Sequence, residues 1–253
     1  MTIDKDDLIN SIMESLDRIK YIKTGDIPNI DLYMDQVTTF MDLKLRSTTR
    51  NPGDDKILTK TMINNYAKNN LLPPPDKKKY SREHILILIF IYYLKGILSF
   101  HDIQTILEPL TQKYFESDED FNLEKIYDEV LCFESEQKDL VKEDILEKFN
   151  KAEQVFSDAP EEDKDYFRLF SFITLLGFDV YIKKLLIEKL IDGYRDEKDE
   201  ESVQKTSREK EREKERAALE KAMKEKALKE KALKEKTIKE KQRQERQKQE
   251  KQK

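Results

Sequence analysis

A mainly α-helical chain is predicted, and three observations predict it. Apolar residues recur every three or four positions through much of the first 196 residues, the helical period. Thr59, Ser81 and Ser99 stand where helix N-caps belong, and Gly25, Pro28 and Pro73 to Pro75 stand where helices stop. Beyond residue 196 the chain becomes a charged repeat with Glu and Lys four apart, which supports a solvated helix. The organisation expected is an N-terminal amphipathic helix over 1–27, a helical module over 28–110, an acidic all-α region over 111–196, and a charged tail over 197–253.

Each element has its own reason. Leu8, Ile9, Ile12, Met13, Leu16 and Ile19 form a helical stripe over 6–22, which must pack on something. A second helix, about 31–43, turns Leu32, Val37, Phe40 and Met41 inward, and 46–55, with Pro52-Gly53, is a polar loop. Thr59 caps a helix of about 60–70 that the three prolines end. At roughly 100° per residue, Met62, Ile63, Tyr66 and Ala67 share one side of it. Lys60, Thr61, Asn64, Asn65 and Lys68 share the other, a face without a carboxylate. Ser81 caps a helix containing Ile85 to Leu94, apolar on every side. Such a helix is covered on every side. The cover is expected from the N-terminal helix, the acidic region, with its helices near Phe170, or a second subunit, so a homodimer is among the expected partners.

Ser99 caps a further helix with Phe100, Ile103, Ile106, Leu107 and Leu110 inward, Asp102 in its first turn and His101 on the surface. After Pro109, helices are expected at about 121–133, 140–156, 166–176 and 179–194. In the tail, Lys221-Ala-Met-Lys-Glu and three similar pentads advance a helix about 140° past a full turn each, so the small apolar pairs spiral and build no heptad seam. A solvated or disordered tail is expected.

The composition sets bounds on function. Charged residues make up 40% of the 253 and hydrophobic ones 37%, so part of the chain cannot bury a core. One Cys and two His exclude a disulfide framework and a Cys/His zinc cluster, which leaves Cys132 as a small core hydrophobe. The five glycines are isolated, so no Gly-rich phosphate cradle is present, and no Ser/His/Asp spacing points to acyl transfer. No enzyme activity, cofactor, metal or small-molecule effector is expected. The longest apolar run, Ile85 to Leu94, is ten residues, whereas a bilayer span needs about 20. The acidic N-terminus leads into no signal-type core, so a cytoplasmic protein without a membrane partner is expected.

Charge is unevenly divided. Residues 44–95 hold 11 Lys+Arg against 4 Asp+Glu, a surplus of seven, while residues 96–204 hold 13 against 29, a deficit of sixteen. A basic segment inside an acidic chain marks 44–95 as the place for an anionic partner.

The residues that carry this surplus also carry a family resemblance. Leu58-Thr59-x-x-Met62-Ile63-x-x-Tyr66, then Leu71-Leu72-Pro73, Lys79-Tyr80-Ser81, and Leu98-Ser99-Phe100-x-Asp102-Ile103-x-x-Ile106-Leu107 resemble the MerR-type winged helix-turn-helix. With Ile30 to Val37 upstream and Leu43 to Arg46 between, the chain more closely resembles an uncharacterised bacterial family, domain of unknown function 1836, that embeds this module. The resemblance makes Thr59 the cap, Ile63 and Tyr66 the core of a recognition helix, Lys79-Tyr80 the basic-aromatic pair of a wing, and Ser99 the cap of the next helix. Asn64 and Asn65 replace the Arg and Tyr usual in MerR proteins, and the connection before the recognition helix is longer. Backbone contact is therefore expected ahead of base readout.

Double-stranded DNA is the expected partner and transcriptional regulation the expected role. Lys77, Lys78, Lys79 and Arg82 would neutralise phosphate, with Tyr80 beside them. Lys60, Asn64, Asn65 and Lys68 would face a groove, where Asn can pair bidentately with adenine. The alternatives are a module that keeps the winged fold for a protein or RNA partner, which the acidic segment favours, and a basic loop that is merely solvated.

Overall fold

A computed structural model describes residues 5–19, 21–117, 119–200, 208, 212 and 214–216; the side chains of residues 5, 6, 18 and 132–136 fall outside the description. Cys132 and the pentad repeats, read above from sequence, therefore lie outside the described side chains and residues. The chain forms two units, 1–192 and 193–253. In the second, residues 193–200 are helical.

The first unit is mostly helix, as the sequence predicts. Its elements are α1 (Lys5–Arg18), β1 (Leu32–Tyr33), α2 (Met34–Leu45), α3 (Lys60–Lys68), β2 (Lys79–Tyr80), α4 (Arg82–Leu94), α5 (Phe100–Tyr114), α6 (Leu123–Glu153) and α7, residues 164–192. The two short strands pair antiparallel, Leu32 with Tyr80 and Tyr33 with Lys79. Among the described residues no helix is long and apolar enough to cross a membrane.

The core gathers around α4. Ile85 to Ile89 and Ile91 are buried, each burial stabilising the fold by about 1.5–3 kcal/mol. The cover comes largely from the acidic region, one of the expected candidates, but not from the residues around Phe170 or from the stripe of α1. It comes from the start of α6, where Leu123 and Tyr127 are buried and Tyr127 sits 5.3 Å from Phe90, and from the segment before β1, which contributes Ile22 and Ile27. The Tyr127 hydroxyl donates to the Ile22 carbonyl at 2.6 Å and joins the two parts of the cover. α1 instead packs along α6, where Asp17 meets Lys142 at 2.6 Å. Its partner Lys142 and, beside it, Lys138 hold the Asp17 carboxyl below its ordinary pKa.

Two helix breaks read from the sequence, one between 133 and 140 and one at Gly177, are absent, and one proline is carried inside a helix. Residues 134–139 interrupt the apolar period but contain neither Gly nor Pro, so one helix, α6, replaces the expected pair. Pro109 lies inside α5, which runs on to Tyr114. Gly177 lies inside α7, where glycine costs about 1 kcal/mol relative to alanine without ending the helix. α6 and α7 are clasped by Phe149 against Phe172, 5.4 Å between ring centres, and by Lys148 to Asp179 at 2.7 Å.

Candidate nucleic-acid interface

α2 touches both α3 and β2, so it positions the two basic elements from beneath. α3 forms because Thr59 caps it, its hydroxyl accepting from the Met62 N–H at 3.2 Å. It ends where Asn70 takes a left-handed φ of 57° and the Leu71 N–H reaches back to the Tyr66 carbonyl at 2.9 Å, the usual αL exit from a helix. Ile63 and Tyr66 are buried, and Lys60, Thr61, Asn64, Asn65 and Lys68 are exposed, as the wheel requires. Burial raises the Tyr66 phenol pKa.

Two of the exposed polar residues have partners invisible in the sequence. The Lys60 ammonium is ion-paired with Asp35 in the first turn of α2. Asn65 accepts from the Asn69 amide at 2.9 Å. Asn64 and Lys68 carry no such side-chain partner among the described residues, which makes them the more available donors on this face.

The basic turn is built from Asp76-Lys77-Lys78-Lys79. The Lys79 N–H donates to the Asp76 carbonyl at 2.8 Å, and the two central residues have positive φ, 46° at Lys77 and 67° at Lys78. That is the signature of a type I′ turn, whose central positions favour Asn-Gly. A side chain with a Cβ costs about 1–2 kcal/mol in that conformation. The chain nonetheless carries lysine at both positions. Lys77 and Lys78 project into solvent, with Asp76 3.8 Å from the Lys77 ammonium. Lys79 lies in β2 and sets its ammonium 5.5 Å from the ring centre of Tyr33 across the strand pair.

Tyr80 and Arg82, the last two residues of the expected set, are turned inward. Strand residues alternate sides, so Tyr80, following Lys79, is buried at 2% exposure and its phenol pKa is raised by that burial. The Arg82 guanidinium donates to the Thr24 carbonyl at 2.7 Å and lies 2.8 Å from the Glu124 carboxylate. It holds the cover of α4 in place.

His84, which the sequence reading passes over, holds the turn from below. It is 2% exposed, at the third position of α4, where Glu or Gln usually completes a capping box. The Ser81 N–H donates to Nδ1 at 3.0 Å, so Nδ1 is unprotonated, and Nε2–H points to the Pro74 carbonyl at 3.4 Å. Tyr80 and Phe115 close on the ring edgewise at 5.4 and 4.7 Å. Burial depresses the imidazole pKa, and the Pro74 and Pro73 carbonyls and Asp31 oppose that shift.

Among the described residues no three His, Cys, Asp or Glu side chains are grouped to hold a metal ion. Residues 22–130 match the model of a protein family described as a domain of unknown function (DUF1836). The match opens at Ile22 and closes just past Tyr127, the pair whose hydrogen bond joins the cover of α4, so the family segment holds every buried residue of that core cluster except Ile191. No curated protein and no solved structure matches the chain.

Proposed function

We propose that this protein binds double-stranded DNA and regulates transcription, with α3 facing a groove and the 76–79 turn lying on the sugar-phosphate backbone. The reading is carried by the two lysines in left-handed conformation. Strain of this kind is kept where the surroundings use it, and here it holds two ammonium groups outward at the tip of a tight turn. The order helix, basic turn, helix over 60–94 is the one that the resemblance to the MerR-type module leads one to expect, and it supports the same reading.

The roles divide by chemistry. Lys77, Lys78 and Lys79 supply salt-dependent affinity without sequence information. Asn64 is the side chain best suited to pair with a base edge, and Lys68 adds a phosphate contact at the end of α3. Lys60, bound to Asp35, contributes a smaller share. Tyr80 and Arg82 act by supporting the fold.

Fluorescence anisotropy of the full chain against labelled duplex DNA and against RNA hairpins, titrated with salt, tests the reading. Duplex binding with a steep negative dependence on log salt is expected, with weaker binding to RNA. Preference for RNA would transfer the surface to that partner, and no binding to either would leave the turn a solvated loop.

A further inference from the structure

α7 buries Phe172 and Ile191, yet ten large apolar side chains between Tyr166 and Leu190 remain 41–66% exposed. Five of them, Tyr166, Phe170, Ile173, Val180 and Tyr181, lie within about 100° of one another around the helix. At roughly 100 Å² apiece, they present on the order of 500 Å² of apolar surface on one side, toward the upper end of the about 300–600 Å² of the largest patch on a typical monomer.

The pattern within it suggests what covers it. Tyr166, Ile173 and Val180 are seven residues apart, Phe170 and Gly177 are also seven apart, and the two rows interleave at steps of four and three. That is the seam of a paired helix, and it lies opposite Phe172, which faces α6. Gly177 has nothing within 4 Å of where a Cβ would stand, which leaves space for a large side chain from outside. Running the same helix antiparallel about a two-fold axis beside Leu175 sets Ile173 opposite Gly177 and Phe170 opposite Val180. Large then meets small, and the charges also agree, since Asp165 comes within one turn of Lys184 of the other copy. A two-fold interface requires this kind of self-complementarity.

We infer that α7 pairs with α7 of a second copy of this chain, antiparallel, through the stripe from Tyr166 to Val180. The inference is independent of nucleic-acid binding, and its assay contains none.

Light scattering of the full chain at tens of micromolar is expected to give a dimer. Ile173→Glu, at a position 58% exposed, is expected to halve the mass while leaving the helical circular dichroism unchanged. A geometric test uses a Cys132→Ala background. Phe170→Cys with Val180→Cys is expected to form a disulfide-linked dimer under mild oxidation, and neither alone is. The two positions are about 15 Å apart along one helix, too far for a bridge within a chain. A monomeric full chain, or a dimer that Ile173→Glu leaves intact, would overturn the inference. A monomer that dimerises only when residues 201–253 are removed would assign the face to the tail, and it too would overturn it.

Discussion

Replacing Lys77 with Asn and Lys78 with Gly should make the protein more stable and a poorer binder at the same time. Both lysines have positive φ, 46° and 67°, and a residue with a Cβ costs about 1–2 kcal/mol there. Glycine removes that cost at one position, offset by about 0.5–1 kcal/mol of extra chain entropy in the unfolded state. Asparagine, which tolerates the left-handed region, removes part of it at the other. The net gain should be about 1 kcal/mol, or about 2–4 °C in Tm for a body of this size. Two phosphate contacts are lost together, and each contributes about 0.9 to the slope of log affinity against log salt, so the slope should fall by about 2. Urea denaturation measures the first quantity and anisotropy with duplex DNA the second. Lys77→Gln with Lys78→Gln is the control, because it removes the charges and keeps the strained Cβ atoms. It should lower the slope equally without the gain in stability. If the Asn-Gly variant is less stable, the turn is held by contacts of the lysine side chains and the strain argument fails. An unchanged slope means that the turn does not touch phosphate.

Other expectations follow from single residues. Asn64→Ala should leave Tm unchanged and reduce discrimination between duplex sequences by about 1–3 kcal/mol, read by competition among selected sites; equal loss on all sequences would make Asn64 a backbone contact. Arg82→Ala should destabilise the fold by about 1–2 kcal/mol, since it separates the Thr24 carbonyl and Glu124 from their half-buried partner, while the salt slope of binding stays the same. The His84 pKa is depressed in the fold from its ordinary 6.5, so below about pH 6.5 the unfolded chain binds more protons than the native one and stability falls with pH. The loss levels off below the depressed native pKa. His84→Gln should flatten the dependence in that window, and a slope equal to the wild type's would place its origin elsewhere, though not in Glu83, whose raised pKa shifts stability in the opposite sense.

The parts of the fold legible in the sequence were those fixed by local chemistry. α3 was readable because a capping Thr59 fixes its start and its two faces follow from the period alone; its end at Lys68 comes from the left-handed Asn70, before the three prolines that the sequence offered as the stop. α4 was readable as buried because no polar face exists to expose. Its cover was legible only as a choice of regions, the acidic one among them, and not as residues, since the pairing of Ile22 with Tyr127 spans 105 residues. Strands of two residues are too short to show alternation, and β1 pairs with β2 across more than forty residues. That same pairing separates Lys79 from Tyr80, so a basic run continuous in sequence divides into an outward and an inward part. Lys60 and Asn65 looked free on the wheel because Asp35 comes from another helix and Asn69 from the C-cap of the same one. His84 could have been noticed as the residue three after Ser81, where a capping partner belongs. The breaks expected between residues 133 and 140 and at Gly177 weighted loss of period and a single glycine too heavily, because a helix in contact with a neighbour tolerates both.

Residue-resolved lysine acetylation, with and without a saturating duplex, tests the proposed interface most directly. Lys68, Lys77, Lys78 and Lys79 are expected to react several-fold more slowly when DNA is bound, while Lys142 and Lys148, tied to Asp17 and to Asp179 on the helical body, keep their rates. Protection that falls on the helical body and spares the 76–79 turn would contradict the account.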